Sequence, residues 1–259
     1  MSKRWWRSIV GAALLSSASV ALGDAFFGAD PQPGNLTFSG FSDGSVGATI
    51  TGGSFSNVLA GQFQGFFDPA AEADGPGHEP DDFLRFFCID INHLANAGPN
   101  PYTRDIGVSD ATNAAQLARL FDLYYPDKTI GTYYSGGITT FGDFPDATTS
   151  AAFQLAVWEI WFDNDMNLST GTFTASSGAK TLAQSYLDAV NAGSGTPAGW
   201  TFYTFTSNVS RDHPNQYQEY LSAEWTNPEH ETPEPGSLAL LCSAVVAAGV
   251  AALRRRQTA

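Results

Sequence analysis

The chain has 259 residues, a net charge of −14 and two cysteines, which fits one sizeable domain with few covalent crosslinks. A strongly acidic surface repels phosphate groups, so nucleic acid is excluded as a partner. Cys242 lies in an apolar segment near the C-terminus, and the rest of the chain therefore holds the single cysteine Cys88 and has no internal disulfide.

The N-terminal segment has the pattern of a removable secretion signal. Three basic residues among the first seven precede an apolar run from Ile9 to Leu22, and the small residue Gly23 follows. A secretion channel and its signal peptidase recognise a charged start, an apolar middle and a small-residue end. We predict that residues 1–23 are removed on export, with an uncleaved membrane anchor as the alternative.

Residues 24–225 are predicted to form one exported α+β domain that starts and ends with strands. Short alternating runs at 36–38 and 46–50 predict antiparallel strands joined by glycine turns. The run 83–90 is apolar on both faces at its end, which predicts a central strand, and 200–206 alternates again. We expect an antiparallel, sandwich-like sheet with a helical insertion. Residues 68–82, which are acidic and contain prolines, are predicted to be an exposed loop.

Three helices are predicted between these strands. The first runs from a cap at Ser109 to about residue 125, where Pro126 stops it. The second covers about 151–162, with a cap among residues 148–150. The third covers about 179–190 and ends at Gly193.

The second helix is apolar almost all round, which predicts that it is buried. One of its faces carries Gln154, Trp158 and Trp161 at helical spacing. A buried glutamine amide is costly unless its donors and its acceptor find partners, so the position of Gln154 requires an explanation.

The segment Phe-Gln-Leu-Ala-Val-Trp, residues 153–158, resembles the glutamine motif of bacterial Cys–Gln thioester domains, which are best known from surface adhesins. The resemblance extends over about 83–190 and implies a cysteine on an earlier strand, after an aromatic residue. Cys88 fits that place, and the segment 120–126, which ends in Tyr125-Pro126, resembles the family's helix between the two motifs. The resemblance implies a thioester between Cys88 and Gln154, flanked by Phe87, Asp90, Phe153, Ala156, Trp158 and Trp161.

In such a bond the Cys88 sulfur attacks the side-chain carbonyl carbon of Gln154 and ammonia leaves. We expect backbone N–H groups at the start of the helix to stabilise the oxyanion. An amine of a partner protein or matrix polymer then opens the thioester and stays attached. The bond reacts once without turnover, so the protein is not predicted to be an enzyme. The alternative is a non-covalent structural, carbohydrate-binding or calcium-binding module in which Cys88 is merely buried.

No other segment predicts a cofactor. Asp163, Asp165 and Asn167 alternate as in the first half of a calcium loop, but the later glycine and glutamate of such a loop are missing. A solvated helix end is the alternative at this place. His93, His213 and His230 have no zinc-ligand spacing.

The C-terminal tail has the order of a membrane sorting signal. Residues 226–235 form a linker that ends in Pro233-Glu234-Pro235, and residues 236–259 hold an uncharged stretch followed by Arg254-Arg255-Arg256. The uncharged stretch 236–253 is long enough to cross a membrane as a helix, and the arginines favour the cytoplasmic side.

This tail resembles the PEP-CTERM sorting signal of Gram-negative bacteria. The resemblance implies an exosortase as processing partner, transient anchoring in the membrane, and release to the cell surface or extracellular matrix. Without the targeting segments, residues 24–233 hold six basic and 25 acidic residues, a net charge of −19.

Overall fold

The computed structural model describes residues 31–69, 82–126, 133–135, 143–209 and 217–225. All of them lie in one compact unit, Gly23–Glu229. The described strands are β1 (Gln32–Phe41), β2 (Val46–Thr51), β3 (Asn57–Ala60), β4 (Phe63–Pro69), β5 (Asp82–Cys88), β6 (Pro99–Ile106), β7 (Tyr133–Ser135), β8 (Thr174–Ser177), β9 (Trp200–Ser207) and β10 (Tyr220–Trp225). The described helices are α1 (Ala111–Tyr124), α2 (Ala147–Phe162) and α3 (Lys180–Ala192).

Six antiparallel strands close into a barrel in the order β10-β9-β6-β1-β4-β5. Closure occurs because β10 pairs with β9 along its length and also with the end of β5, where Tyr220 lies opposite Cys88. The short strand β7 pairs with the beginning of β5. The predicted α+β class holds in its coarser form, a mostly β domain with three helices. The sandwich-like arrangement is wrong, because a sheet whose last strand pairs with β5 closes on itself and leaves no edge there.

The three helices pack together, and α2 lies against both the barrel and the small sheet β3-β2-β8. Of the residues in α2, all from Ser150 to Ile160 are buried. The amphipathic helices α1 and α3 cover it, as their one-sided apolar patterns predict.

Aspartates begin the first two helices. Asp110 accepts hydrogen bonds from the backbone of Thr112 and Asn113, and Asp146 accepts one from Thr149 at 2.8 Å. The predicted caps at Ser109 and at residues 148–150 are therefore displaced. A carboxylate one residue later than Ser109, and one two to four residues before 148–150, binds the free N–H groups. The predicted end of the third helix at Gly193 is confirmed.

Several predicted segments lie outside the described residues: the signal peptide, most of the acidic loop 68–82, and the linker and tail from 226 onward. Within the part of the chain that the structure describes, no helix is both long enough and apolar enough to cross a membrane.

Candidate functional site

Cys88 and Gln154 lie against each other in the core. The Gln154 oxygen Oε1 accepts a hydrogen bond of 2.9 Å from the Cys88 backbone N–H, and the Gln154 nitrogen Nε2 donates one of 2.9 Å to the Cys88 carbonyl. Both residues have 0% of their surface exposed. Two residues that are 66 positions apart in the chain are thus joined by a reciprocal pair of hydrogen bonds.

The end of a strand ladder explains this contact. The pairing of β4 with β5 ends at Phe63 and Phe86, so Cys88 lies beyond the beginning of β4. Its backbone groups still need partners, because buried N–H and C=O groups are rarely left unpaired. The Gln154 amide carries one donor side and one acceptor side, and it replaces the missing strand neighbour of Cys88.

The Cys88 thiol lies in an almost closed environment. Its Sγ donates to the Asp90 carbonyl at 3.0 Å and accepts from the Asp90 N–H at 3.3 Å. Burial raises the pKa of this thiol to about 12, although hydrogen bonding to the Asp90 backbone and the nearby side chains of Trp158 and Gln218 offset part of the effect. At neutral pH the group is therefore a thiol and not a thiolate.

A polar cluster lies directly behind the sulfur. The Asp90 carboxylate contacts His93 Nδ1 at 2.6 Å, and its carbonyl also accepts a hydrogen bond of 3.0 Å from Gln218. Asp90 thereby connects the segment after β5 with the segment before β10. Asp90, which was predicted to lie near Cys88, is in direct contact with its sulfur.

The other predicted flanking residues form an apolar enclosure. The rings of Phe87 and Phe153 are 4.9 Å apart between centroids, and Ala156 is fully buried. Trp158 is 2% exposed and lies in the core, whereas Trp161 is only partly buried at its margin. Water is consequently kept from the Cys88–Gln154 contact.

A pocket of about 740 Å³ shares two lining residues with the surroundings of the Cys88 thiol. Its walls are mainly apolar and come from β1, the small sheet and the segment after β5. Trp158, Gln218 and His93 line it as well. Because Trp158 and Gln218 also lie beside the Cys88 thiol, they separate the pocket from the sulfur.

The acidic segment after α2 has a different arrangement from the predicted calcium loop. Asp163 and Asp165 meet Glu159 of α2, and the carboxylate oxygens of the three lie within 4.8 Å of one another. The Asn167 side-chain oxygen instead accepts from the Ser169 N–H at 3.0 Å. Burial, a hydrogen bond with the Asp165 side chain, and the charges of Asp165 and Asp163 raise the pKa of Glu159 to about 8.

Sequence patterns alone missed several residues of this region. Gln218 comes from a segment with no motif, and Glu159 is a single acidic residue in an apolar helix. Gln62, fully buried, accepts from Ser42 and donates to the Tyr125 hydroxyl, while its N–H donates to Ser150 at 2.7 Å. The one available signal was polarity at a position that the apolar pattern predicts to be buried. Of the three histidines that have no zinc-ligand spacing in the sequence, His213 and His230 lie outside the described residues.

Comparison with known proteins identifies the C-terminal tail. Residues 231–256 match the model of the PEP-CTERM protein-sorting motif, which contains the predicted Pro233-Glu234-Pro235 and the arginine cluster. The match supports an exported protein that an exosortase processes and that reaches the envelope or surface of a Gram-negative cell. No curated protein and no solved structure is significantly similar to the chain.

Proposed function

We propose that this exported protein forms an internal thioester between Cys88 and Gln154 and uses it once to bind a surface or matrix amine covalently. The observation that supports the proposal best is the reciprocal hydrogen bonding of the Gln154 amide with the Cys88 backbone at 2.9 Å in a dry core. It holds the electrophilic carbon of Gln154 against the backbone of the residue that carries the thiol. Such pre-orientation is a large part of what an intramolecular reaction requires.

The bond-forming step balances without an added reagent. The sulfur attacks the amide carbon Cδ of Gln154, the carbon–nitrogen bond breaks, and the thiol proton leaves with the departing ammonia. The Cys88 N–H already donates to the oxygen that becomes negative in the transition state, and is therefore the oxyanion donor. The expected donors at the helix start do not serve this purpose, because Asp146 already caps that end, about two turns before Gln154.

The second step requires an amine to reach the buried carbonyl. The apolar pocket is the route that the described surface offers, with Trp158 and Gln218 between it and the sulfur. Displacement of one of these side chains exposes the bond, the amine forms an amide with Gln154, and the Cys88 thiol is released. Exclusion of water until that moment protects the thioester from hydrolysis.

Intact-mass measurement of the purified full chain tests this proposal. The protein is expected to be lighter than its sequence mass by one ammonia, and Cys88→Ala is expected to have its full mass. The control Cys242→Ala removes the other cysteine and is expected to retain the mass deficit of one ammonia, which assigns the deficit to Cys88. Methylamine should then add its own mass at Gln154 and release one thiol.

A full mass together with a thiol at Cys88 that is alkylated after unfolding would refute the thioester. In that case the hydrogen bonds between Gln154 and Cys88 serve only to complete the strand. The remaining candidate is then a non-covalent surface module that uses the pocket, whose walls include Phe38, Phe41 and Trp158. Aromatic walls of this kind suit sugar rings, and titration with matrix oligosaccharides would measure that binding.

A further inference from the structure

We propose that Glu159, Asp163 and Asp165 form a calcium-binding site at the C-terminal end of α2. Their carboxylate oxygens lie within 4.8 Å of one another. Two oxygens bound to one calcium ion at 2.3–2.6 Å are separated by at most about 5 Å, so this grouping fits a single ion. Calcium also tolerates the irregular geometry of loop carboxylates better than magnesium, which demands a near-ideal octahedron.

The independent observation is the state of the Glu159 side chain. Glu159 has 0% of its surface exposed, and its Oε1 accepts a hydrogen bond of 3.0 Å from the Asn167 N–H. Its other oxygen, Oε2, is buried and accepts no hydrogen bond from an N–H or hydroxyl group of the described residues, and the Glu159 carboxyl lies close enough to Asp165 to share a proton with it. A buried carboxylate oxygen without a partner is costly, and either a proton or a cation must neutralise it.

The loop after α2 holds the two aspartates in place. Asp163 Oδ2 accepts from the Phe173 N–H at 3.0 Å. Asp165 accepts from the Asn167 N–H at 2.8 Å and from the Thr170 hydroxyl at 2.9 Å. Gly171 passes so close that a Cβ atom there would lie 1.8 Å from Asp163 Oδ2. The backbone thus surrounds the carboxylates and leaves further lone pairs for an ion.

Electrostatics around the cluster favour a cation. The three carboxylates lie at the negative end of the α2 dipole, and the last turn of α2 has no basic residue. Within the described part of the chain, no lysine, arginine or histidine forms an ion pair with any of them. The exported portion as a whole carries a charge of −19, which raises the local concentration of cations further.

Calcium would fix the end of the helix that also carries Gln154, although the two sites are chemically independent. Glu159 comes from the buried helix, while Asp163 and Asp165 come from the loop that leads toward β8. Binding therefore links α2 to the following loop. Extracellular calcium modules bind with a Kd on the order of 10⁻⁴–10⁻³ M, and we expect this range.

Titration calorimetry of the purified full chain with CaCl₂, after treatment with EDTA, tests the site. We expect one ion per chain and a melting temperature that rises by about 5 °C at 10 mM CaCl₂. Asp165→Asn and Glu159→Gln should each weaken calcium binding at least about tenfold. The matched control Asp68→Asn, which removes an exposed carboxylate on β4, should bind as the unchanged protein does.

Two results would overturn the proposal. One is the absence of both binding heat and thermal stabilisation with calcium, which would mean that a proton shared with Asp165 neutralises Glu159. The other is calcium binding that Glu159→Gln and Asp165→Asn leave unchanged. Glu159→Gln keeps the volume and the acceptor for the Asn167 N–H, so a folding failure does not obscure its result. Cys88→Ala should bind calcium normally, which separates this test from that of the thioester.

Discussion

Replacing Gln154 by methionine tests whether its amide completes the strand at Cys88. The substitution is best made in a Cys88→Ala background, where no covalent bond contributes. Methionine keeps nearly the same volume, so little cavity is left, but the backbone N–H and C=O of residue 88 both lose their partner. The comparison therefore isolates two hydrogen bonds.

The expected loss follows from the burial of these groups. An unpartnered buried backbone group costs about 1–3 kcal/mol, and the substitution leaves two such groups, the N–H and the C=O of residue 88. Removal of the Gln154 amide also removes its own desolvation cost, which offsets part of the loss. We expect the free energy of unfolding to fall by about 3 kcal/mol relative to Cys88→Ala alone.

Guanidinium unfolding followed by tryptophan fluorescence measures the difference. The control is Gln116→Met on α1 in the same background, since the Gln116 oxygen Oε1 has no hydrogen-bond partner in the described structure. It should change the stability by less than about 1 kcal/mol. A loss below about 1 kcal/mol for Gln154→Met as well would refute the idea that its amide replaces a strand neighbour.

Two further predictions use the raised pKa values. The first concerns Gln154→Met, in which no thioester forms. Because burial raises the pKa of Cys88 to about 12, this cysteine should react with iodoacetamide at pH 8 at least about a hundredfold more slowly in the folded protein than in urea. Equal rates in the two conditions would contradict the burial of Cys88. The second is that, with calcium chelated, the free energy of unfolding should fall as the pH rises from about 5 to 8. In this range folded Glu159, with a pKa of about 8, keeps its proton, whereas unfolded Glu159, with a pKa of 4.5, has lost it. Glu159→Gln should flatten this slope in chemical unfolding, and an unchanged slope would assign it to other groups.

Local patterns predicted the individual elements well. The strand predicted over 83–90, which the structure places at Asp82–Cys88, the buried helix around Gln154 and the helix end at Gly193 all follow from periodicity, composition and glycine placement. Helix starts were less accurate, because aspartates, serines and threonines near residues 110 and 146 all qualify as caps. The structure selected the residue whose side chain meets the free N–H groups.

The arrangement of the sheet was not accessible in this way. A strand such as β10 carries the same alternating pattern whether it ends a sandwich or closes a barrel. Only its pairing with both β9 and β5 decides between the two, and that pairing depends on the twist of all six strands.

The acidic cluster illustrates the same limit. Asp163 and Asp165 were visible as an alternating pair, but their partner Glu159 precedes them on a helix that appears uniformly buried in the sequence. The predicted third residue, Asn167, instead binds the backbone of its own loop. The spacing of residues in the sequence indicates which side chains share a local turn. It does not indicate that Glu159 of α2 meets the two aspartates of the following loop.

The sequence by itself determined the C-terminal sorting tail, the acidic character of the chain between its two ends and the solitary status of Cys88, because these depend on composition and short-range order; the signal peptide stays a prediction. The tertiary structure alone decided that the Gln154 amide meets the Cys88 backbone, that Trp158 and Gln218 cover the sulfur, and that Glu159 joins two aspartates. These contacts join residues far apart in the chain or on different elements. They form only because β4 begins too late to pair with the backbone of Cys88 and α2 packs against the barrel.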